Sequence, residues 1–157
     1  MAEQAEMSLE KFLERLDLFV HGSTIATNTV IQRNGPKTAL LCTEGFRDVI
    51  HFRDGFKPDR YNIQLQPPED FIPRNLRIPI KERVNYTGEV VAPLDEESVK
   101  AAVAKLKDAG VESVAVAFLW SIMNAEHERR VKALIEEELP GVPVVLISTA
   151  ASSSESI

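Results

Sequence analysis

The chain has 157 residues, 44% hydrophobic and 27% charged, with a formal net charge of −6. That is one domain's worth of ordinary globular composition, enough to bury a core. The acidic balance excludes nonspecific nucleic-acid binding, which needs a basic footprint. No apolar run approaches a membrane span, and the acidic Met1-Ala2-Glu3-Gln4 start lacks the basic region of a secretory signal. Together these predict a cytoplasmic protein with neither membrane nor nucleic acid as partner. Cys42 is the one cysteine, so an internal disulfide is excluded; its apolar surroundings predict a buried structural thiol.

Met7, Leu9, Phe12, Leu13 and Leu16 recur at helical spacing and predict a helix over residues 1–16. Leu18–Val20 then reads as a short buried strand that stops at His21-Gly22. Ser23 or Thr24 can cap a helix over 23–33, with Ile25, Ala26, Val30 and Ile31 as its apolar positions and Asn34-Gly35-Pro36 as its stop. A strand, a glycine turn and hydroxyls opening a helix place free N–H groups where an anion or a carbonyl oxygen could sit. The same device also serves merely to start a helix, and local sequence leaves both readings open.

Thr38–Cys42 predicts the next strand, and Thr43-Glu44-Gly45-Phe46-Arg47-Asp48 a short helix running to about Phe52. Strand, helix, strand, helix over 17–52 is the pattern of a βαβ unit. Residues 53–79 hold Pro58, Pro67, Pro68, Pro73 and Pro79, five of the nine prolines, and predict an extended excursion without a core element. Its basic residues Arg53, Lys57, Arg60, Arg74 and Arg77 could meet an anionic ligand or pair with nearby acids.

Alternation of Ile80, Glu82 and Val84 with Lys81, Arg83 and Asn85, a Thr87-Gly88 turn and a return over Glu89–Leu94 predict a hairpin. Asp95 is placed to cap a helix striped by Val99, Ala102, Val103 and Leu106 and ended by Gly110. Ser113–Leu119 is almost continuously apolar, as in a central parallel strand covered on both faces. Asn124 is placed to cap a helix striped by Val131, Leu134, Ile135 and Leu139; Pro140-Gly141 closes it, and Val142–Ile147 is the last strand. Residues 149–157, serine- and alanine-rich, read as a fraying tail outside a 1–148 domain.

Chemistry-bearing patterns are sparse. The seven glycines are never closer than ten positions, so no clustered phosphate cradle can form. His21, His51 and His127 lack metal-ligand spacing, and a metal held by this chain alone is not expected. No Gly-x-Ser-x-Gly elbow supports a serine hydrolase. In the first turn of its helix, His127 is expected to be structural or solvent-facing. Glu44 and Asp48, one helical turn apart, could position a metal–nucleotide complex or a substrate amide, or could serve the helix dipole and local backbone.

Taken in order, several stretches resemble the hydantoinase A/5-oxoprolinase family, which includes N-methylhydantoinase subunits and acetone and acetophenone carboxylase subunits. They are His21-Gly22-Ser23-Thr24-Ile25-Ala26-Thr27-Asn28, Lys37 through Asp48, Pro58-Asp59-Arg60-Tyr61-Asn62, Glu82-Arg83-Val84, Ala115 through Ser121, and Asn124 through Arg130. The resemblance covers roughly residues 10–148. It implies an α/β, partial ribonuclease-H-like domain of the sugar kinase/Hsp70/actin-like group, with βαβ units and a proline-rich excursion. It also implies that His21, Gly22, Ser23, Thr24, Thr27 and Asn28 contact substrate or phosphate, with Glu44, Asp48 and Arg60 as secondary candidates.

An intact member would use ATP and magnesium to activate a cyclic amide or a ketone. Its glycine-rich phosphate-binding hairpin lies ahead of the segment seen here, so this chain alone is expected to bind neither cofactor and to be inactive. The resemblance implies a fragment of a cyclic-amide hydrolase subunit, with a ketone carboxylase subunit or a non-catalytic assembly module as alternatives. Expected partners are the rest of such a polypeptide or a hydantoinase B-like subunit, a small-molecule substrate, and a second copy of the chain through uncovered apolar surface. Trp120 stands where relatives often carry histidine, so the resemblance carries no acid–base role over to that position.

Overall fold

The computed structural model describes residues 25–52, 61–65 and 69–152. The chain divides into two compact units, Met1–Asn34 and Gly35–Ile157. The predicted helix over 1–16 and the strand Leu18–Val20 lie outside the described residues. Of the first unit, the described part is helix α1, Ile25–Gln32. It stops where Arg33 takes a left-handed conformation, φ 52°, one residue before the predicted stop. Val30 and Ile31, expected on an apolar stripe, are exposed.

The second unit is built on a four-stranded parallel sheet of β1 (Thr38–Thr43), β2 (Arg77–Ile80), β5 (Ser113–Ala117) and β6 (Val144–Leu146), in the order β2-β1-β5-β6. Leu41 pairs with Ile78 on one side and Val116 on the other. Alternate residues therefore share a face, and Ala39, Leu41, Ile78, Ile80, Val114, Val116 and Leu146 are buried together. Two helices cover that face and pack on each other, α3 (Glu96–Ala109) and α4 (Glu126–Glu138). α3 contributes Val99, Ala102, Val103 and Leu106, and α4 contributes Val131, Leu134 and Ile135. Both stripes are those predicted from helical spacing. Each such valine, leucine or isoleucine stabilises the fold by about 1.5–3 kcal/mol relative to exposure.

The caps follow local chemistry. Asp95 accepts a hydrogen bond from the Glu97 amide, 3.1 Å, at the start of α3. Gly110 ends it at φ 60°, its N–H reaching the Leu106 and Lys107 carbonyls. Asn124 Oδ1 accepts from the Glu126 amide, 3.0 Å, ahead of α4, while its Nδ2 donates to the Gly88 carbonyl.

Several expectations are corrected. The proline-rich stretch does hold a core element: a 3₁₀ turn at Arg74–Leu76 leads into β2, with Arg77, Ile78 and Ile80 buried. Pro79 is tolerated there because β2 is an edge strand. The hairpin is correspondingly shorter, β3 (Arg83–Val84) against β4 (Val90–Ala92). The predicted face alternation still holds, with Ile80, Glu82 and Val84 all buried.

The helix after β1 is only α2, Val49–Phe52, preceded by turns. Glu44 and Asp48 therefore do not share a helical face. β5 alternates buried and half-buried residues, so a single sheet face is sealed rather than two. Ile147–Ser152 forms helix α5 where a fraying tail was expected; residues 153–157 lie outside the described residues. Among the described residues no helix is long and apolar enough to cross a membrane.

Candidate functional site at the carboxyl edge of the sheet

The strand order gives the sheet a switch point. The chain goes from β1 to β2 on one side, then through α3 to β5 on the other side of β1. In open parallel sheets, ligands bind outside the carboxyl ends of the strands at such a reversal. Here that place is where β1 ends in Thr43 and β5 runs into Phe118 and Leu119.

A buried polar network fills it. The Leu119 amide donates to Thr43 Oγ1, 3.0 Å. Thr43 Oγ1 in turn donates to Glu82 Oε1. Glu82 Oε2 is 2.9 Å from His127 Nδ1, in the first turn of α4. Thr43, Glu82 and His127 are 2%, 4% and 7% exposed. A carboxylate here is affordable only because donors meet both of its oxygens.

A second carboxylate, Glu128, is fully buried next along α4. Its Oε1 accepts from the Phe118 amide, 3.1 Å. Its Oε2 accepts from the Ser148 amide, 3.1 Å, and the Ser148 hydroxyl, 2.7 Å. Glu128 thus fastens α4 to the carboxyl ends of β5 and β6.

The loop leaving β5 has an unusual backbone. Trp120 sits at φ 60°, a conformation that costs energy for a bulky residue and often marks functional loops. Its ring meets Tyr86 of the hairpin turn edge-on, centroids 6.4 Å apart. Ser121, next in the chain, is buried, and its hydroxyl has no hydrogen-bond partner among the described residues.

The sequence-predicted site residues fare unevenly. His21, Gly22, Ser23, Thr24 and Arg60 lie outside the described residues, as do Arg53 and Lys57. Thr27 and Asn28 are exposed on α1, in the first unit. Glu44 is exposed just past β1, its amide donating to the Ile80 carbonyl, 2.9 Å. Asp48 accepts two hydrogen bonds from Arg74, both 3.1 Å, and lies 3.7 Å from Arg77 Nη1. Those contacts hold its carboxyl below the usual range, the Arg74 hydrogen bond most of all.

Arg77 is buried and also donates to Asp70 and to the Ile72 carbonyl, 2.8 Å. His51 Nδ1 is 3.1 Å from Asp70 Oδ1. Asp70 is held low by that bond first, then by Arg77. These arginines pair with neighbouring acids, the plainer of the two readings. Cys42 is a buried free thiol that desolvation raises to about 11, as befits a structural residue.

Sequence reasoning missed Thr43, Glu82, His127, Glu128 and Ser148 as a set. The signal was present: Glu82 falls on the apolar phase of its strand, and His127 and Glu128 stand one turn before Val131 on the striped face of α4. His127 is 7% exposed and tied to Glu82 through Nδ1, the structural of the two expected placements. No three or more His, Cys, Asp or Glu side chains among the described residues are grouped to hold a metal.

Residues 2–139 match the hydantoinase/oxoprolinase N-terminal region. The chain belongs to the hydantoinase/oxoprolinase family. It is 37% identical over 163 aligned residues to the acetophenone carboxylase gamma subunit of Aromatoleum aromaticum (strain DSM 19018 / LMG 30748 / EbN1), covering 96% of this chain and 22% of that protein. The crystal structure of the ATP-dependent caprolactamase from Pseudomonas jessenii aligns over 94% of this chain and 22% of its own, at 35% identity and TM-score 0.76. A nucleotide-free acetone carboxylase structure aligns over the same shares, at 28% identity and TM-score 0.80. The chain thus corresponds to an N-terminal fifth of these family members, a piece of their α/β, actin-like fold.

Proposed function

We propose that this chain is the N-terminal part of a subunit of an ATP-dependent hydrolase that opens cyclic amides of the hydantoin or 5-oxoproline kind. One observation carries the reading: the likeness to the ATP-dependent caprolactamase, an amide-opening enzyme by name, runs over 94% of the chain. Residues 21–28 are assigned the contact with substrate or phosphate. Nucleotide and magnesium are held by other segments of the polypeptide, and ring opening needs a partner subunit of the hydantoinase B kind. The setting is cytoplasmic.

The likeness to the acetophenone carboxylase gamma subunit, over 96% of the chain, favours a second reading in which the substrate is a ketone. Both are tested by ATP turnover with hydantoin, 5-oxoproline, caprolactam, acetone or acetophenone. The assay compares the chain alone with the chain supplemented by the remaining four-fifths of a relative's subunit and its partner. No turnover is expected alone, and lactam-dependent turnover after supplementation. Substrate-dependent turnover by the isolated chain overturns the reading; ketone-dependent turnover moves it to the second.

A further inference from the structure

His127 is tied on one side only. Thr43 Oγ1 accepts from the Leu119 amide, so its own proton is committed to Glu82 Oε1. A carboxylate only accepts, so the 2.9 Å contact of Glu82 Oε2 with His127 Nδ1 places the proton on Nδ1. In its neutral form the imidazole is then the Nδ1–H tautomer, and Nε2 carries a lone pair. Nε2 makes no hydrogen bond among the described residues, where Ser121 Oγ is the one buried side-chain N or O lacking a partner. Nε2 is therefore reached by solvent, and 9% of the His127 side chain is accessible while that of Glu82 is sealed at 0%. A buried carboxylate behind an imidazole, with the far nitrogen open, is how proteins orient a histidine that handles protons. The dyad stands beside the switch point, where Thr43 ends β1.

We propose that His127 Nε2 is the proton acceptor of this edge of the sheet, with Glu82 as its positioning residue and Thr43 fixing Glu82. The donor is an O–H group, that of water or of a small neutral substrate. The O–H bond breaks, its electron pair stays on oxygen, and a new N–H bond forms at Nε2. The resulting imidazolium keeps Nδ1–H on the Glu82 carboxylate, which offsets its charge. Only the identity of the molecule that the activated oxygen attacks, an amide carbonyl, rests on the proposed function.

Nitrogen-15 NMR of the intact chain, with His127→Gln to assign the ring, reads the tautomer directly. The expected spectrum at alkaline pH shows a protonated Nδ1 and an imine-type Nε2, the reverse of the usual free-histidine preference. Diethyl pyrocarbonate is expected to acylate Nε2 of His127 in the folded chain. In Glu82→Gln one amide oxygen must serve both Thr43 and His127. The tautomers should then mix, and acylation should slow several-fold. A purely structural dyad predicts the opposite, a loosened ring that acylates faster.

A protonated Nε2 in the unmodified chain overturns the proposal. So does a His127 that stays unmodified while exposed His51 reacts. If Glu82→Gln does not fold, those two measurements on the unmodified chain decide alone. None of the readouts involves ATP, so failure of the proposed function, seen as absent lactam turnover, is distinguishable from failure here.

Discussion

Glu128 shows how a single buried carboxylate can be structural. Three donors, the Phe118 and Ser148 amides and the Ser148 hydroxyl, converge on its two oxygens. Glu128→Ala strands all three in a site closed to water and should cost about 3 kcal/mol or more in denaturant unfolding. Glu128→Gln keeps one acceptor and should cost roughly 1–2 kcal/mol. Equal, small losses for both would show that solvent reaches the site. Cys42 allows a sharper check. Burial raises its thiol from 9.0 to about 11, so its thiolate is depleted about a hundredfold at mildly alkaline pH. A thiol-specific disulfide reagent should leave it unmodified in the native chain and titrate it fully after denaturation. Neither behaviour of Glu128 was legible from its residue type. What betrayed it was its position on the striped face of α4, where Val131 and Ile135 follow at helical spacing.

At the scale of elements, α3 was the most legible because every local signal agreed. Asp95 caps it, Glu96 and Glu97 favour its first turn, the stripe is regular and Gly110 closes it. Asp95→Ala should cost about 1 kcal/mol. Gly110→Ala meets no neighbouring atom but must hold φ 60°, and should cost about 1 kcal/mol. β2 was illegible because Pro73 precedes it and Pro79 lies within it, and edge position, not sequence pattern, makes Pro79 acceptable. The connection from α2 to β2 is held by acid–base pairs: Asp48 with Arg74 and Arg77, and Asp70 with Arg77 and His51. Both carboxyls titrate below their usual 3.8. Their contribution is therefore complete above that value and is lost as pH falls through the lower, folded-state values. Thermal melts should show an acid-side fall in stability that flattens in Asp48→Asn and Asp70→Asn. An unchanged acid limb in both variants would show that the pairs are fully screened.

For the whole molecule, the balance of covered and open surface decides behaviour. One face of the sheet is sealed by α3 and α4, while Leu40, Ala115 and Ala117 on the other are only half-buried and Val145 is exposed. Sequence pattern predicted two sealed faces for β5, since an apolar run carries no information about whether a second layer is present. The relatives are longer, this chain spanning 22% of the caprolactamase and acetone carboxylase structures. Apolar surface of this kind favours association when nothing else covers it. The isolated chain should therefore show a mass by light scattering that rises with concentration. A lysine at position 40 places a charge on the open face without entering the sealed core. Leu40→Lys should raise the concentration of half-association by about tenfold, roughly 1.4 kcal/mol. Ile122→Lys, on the loop after β5, should leave it unchanged. A chain that stays monomeric at all concentrations, or one in which the two variants behave alike, would show that the open sheet face does not drive contact.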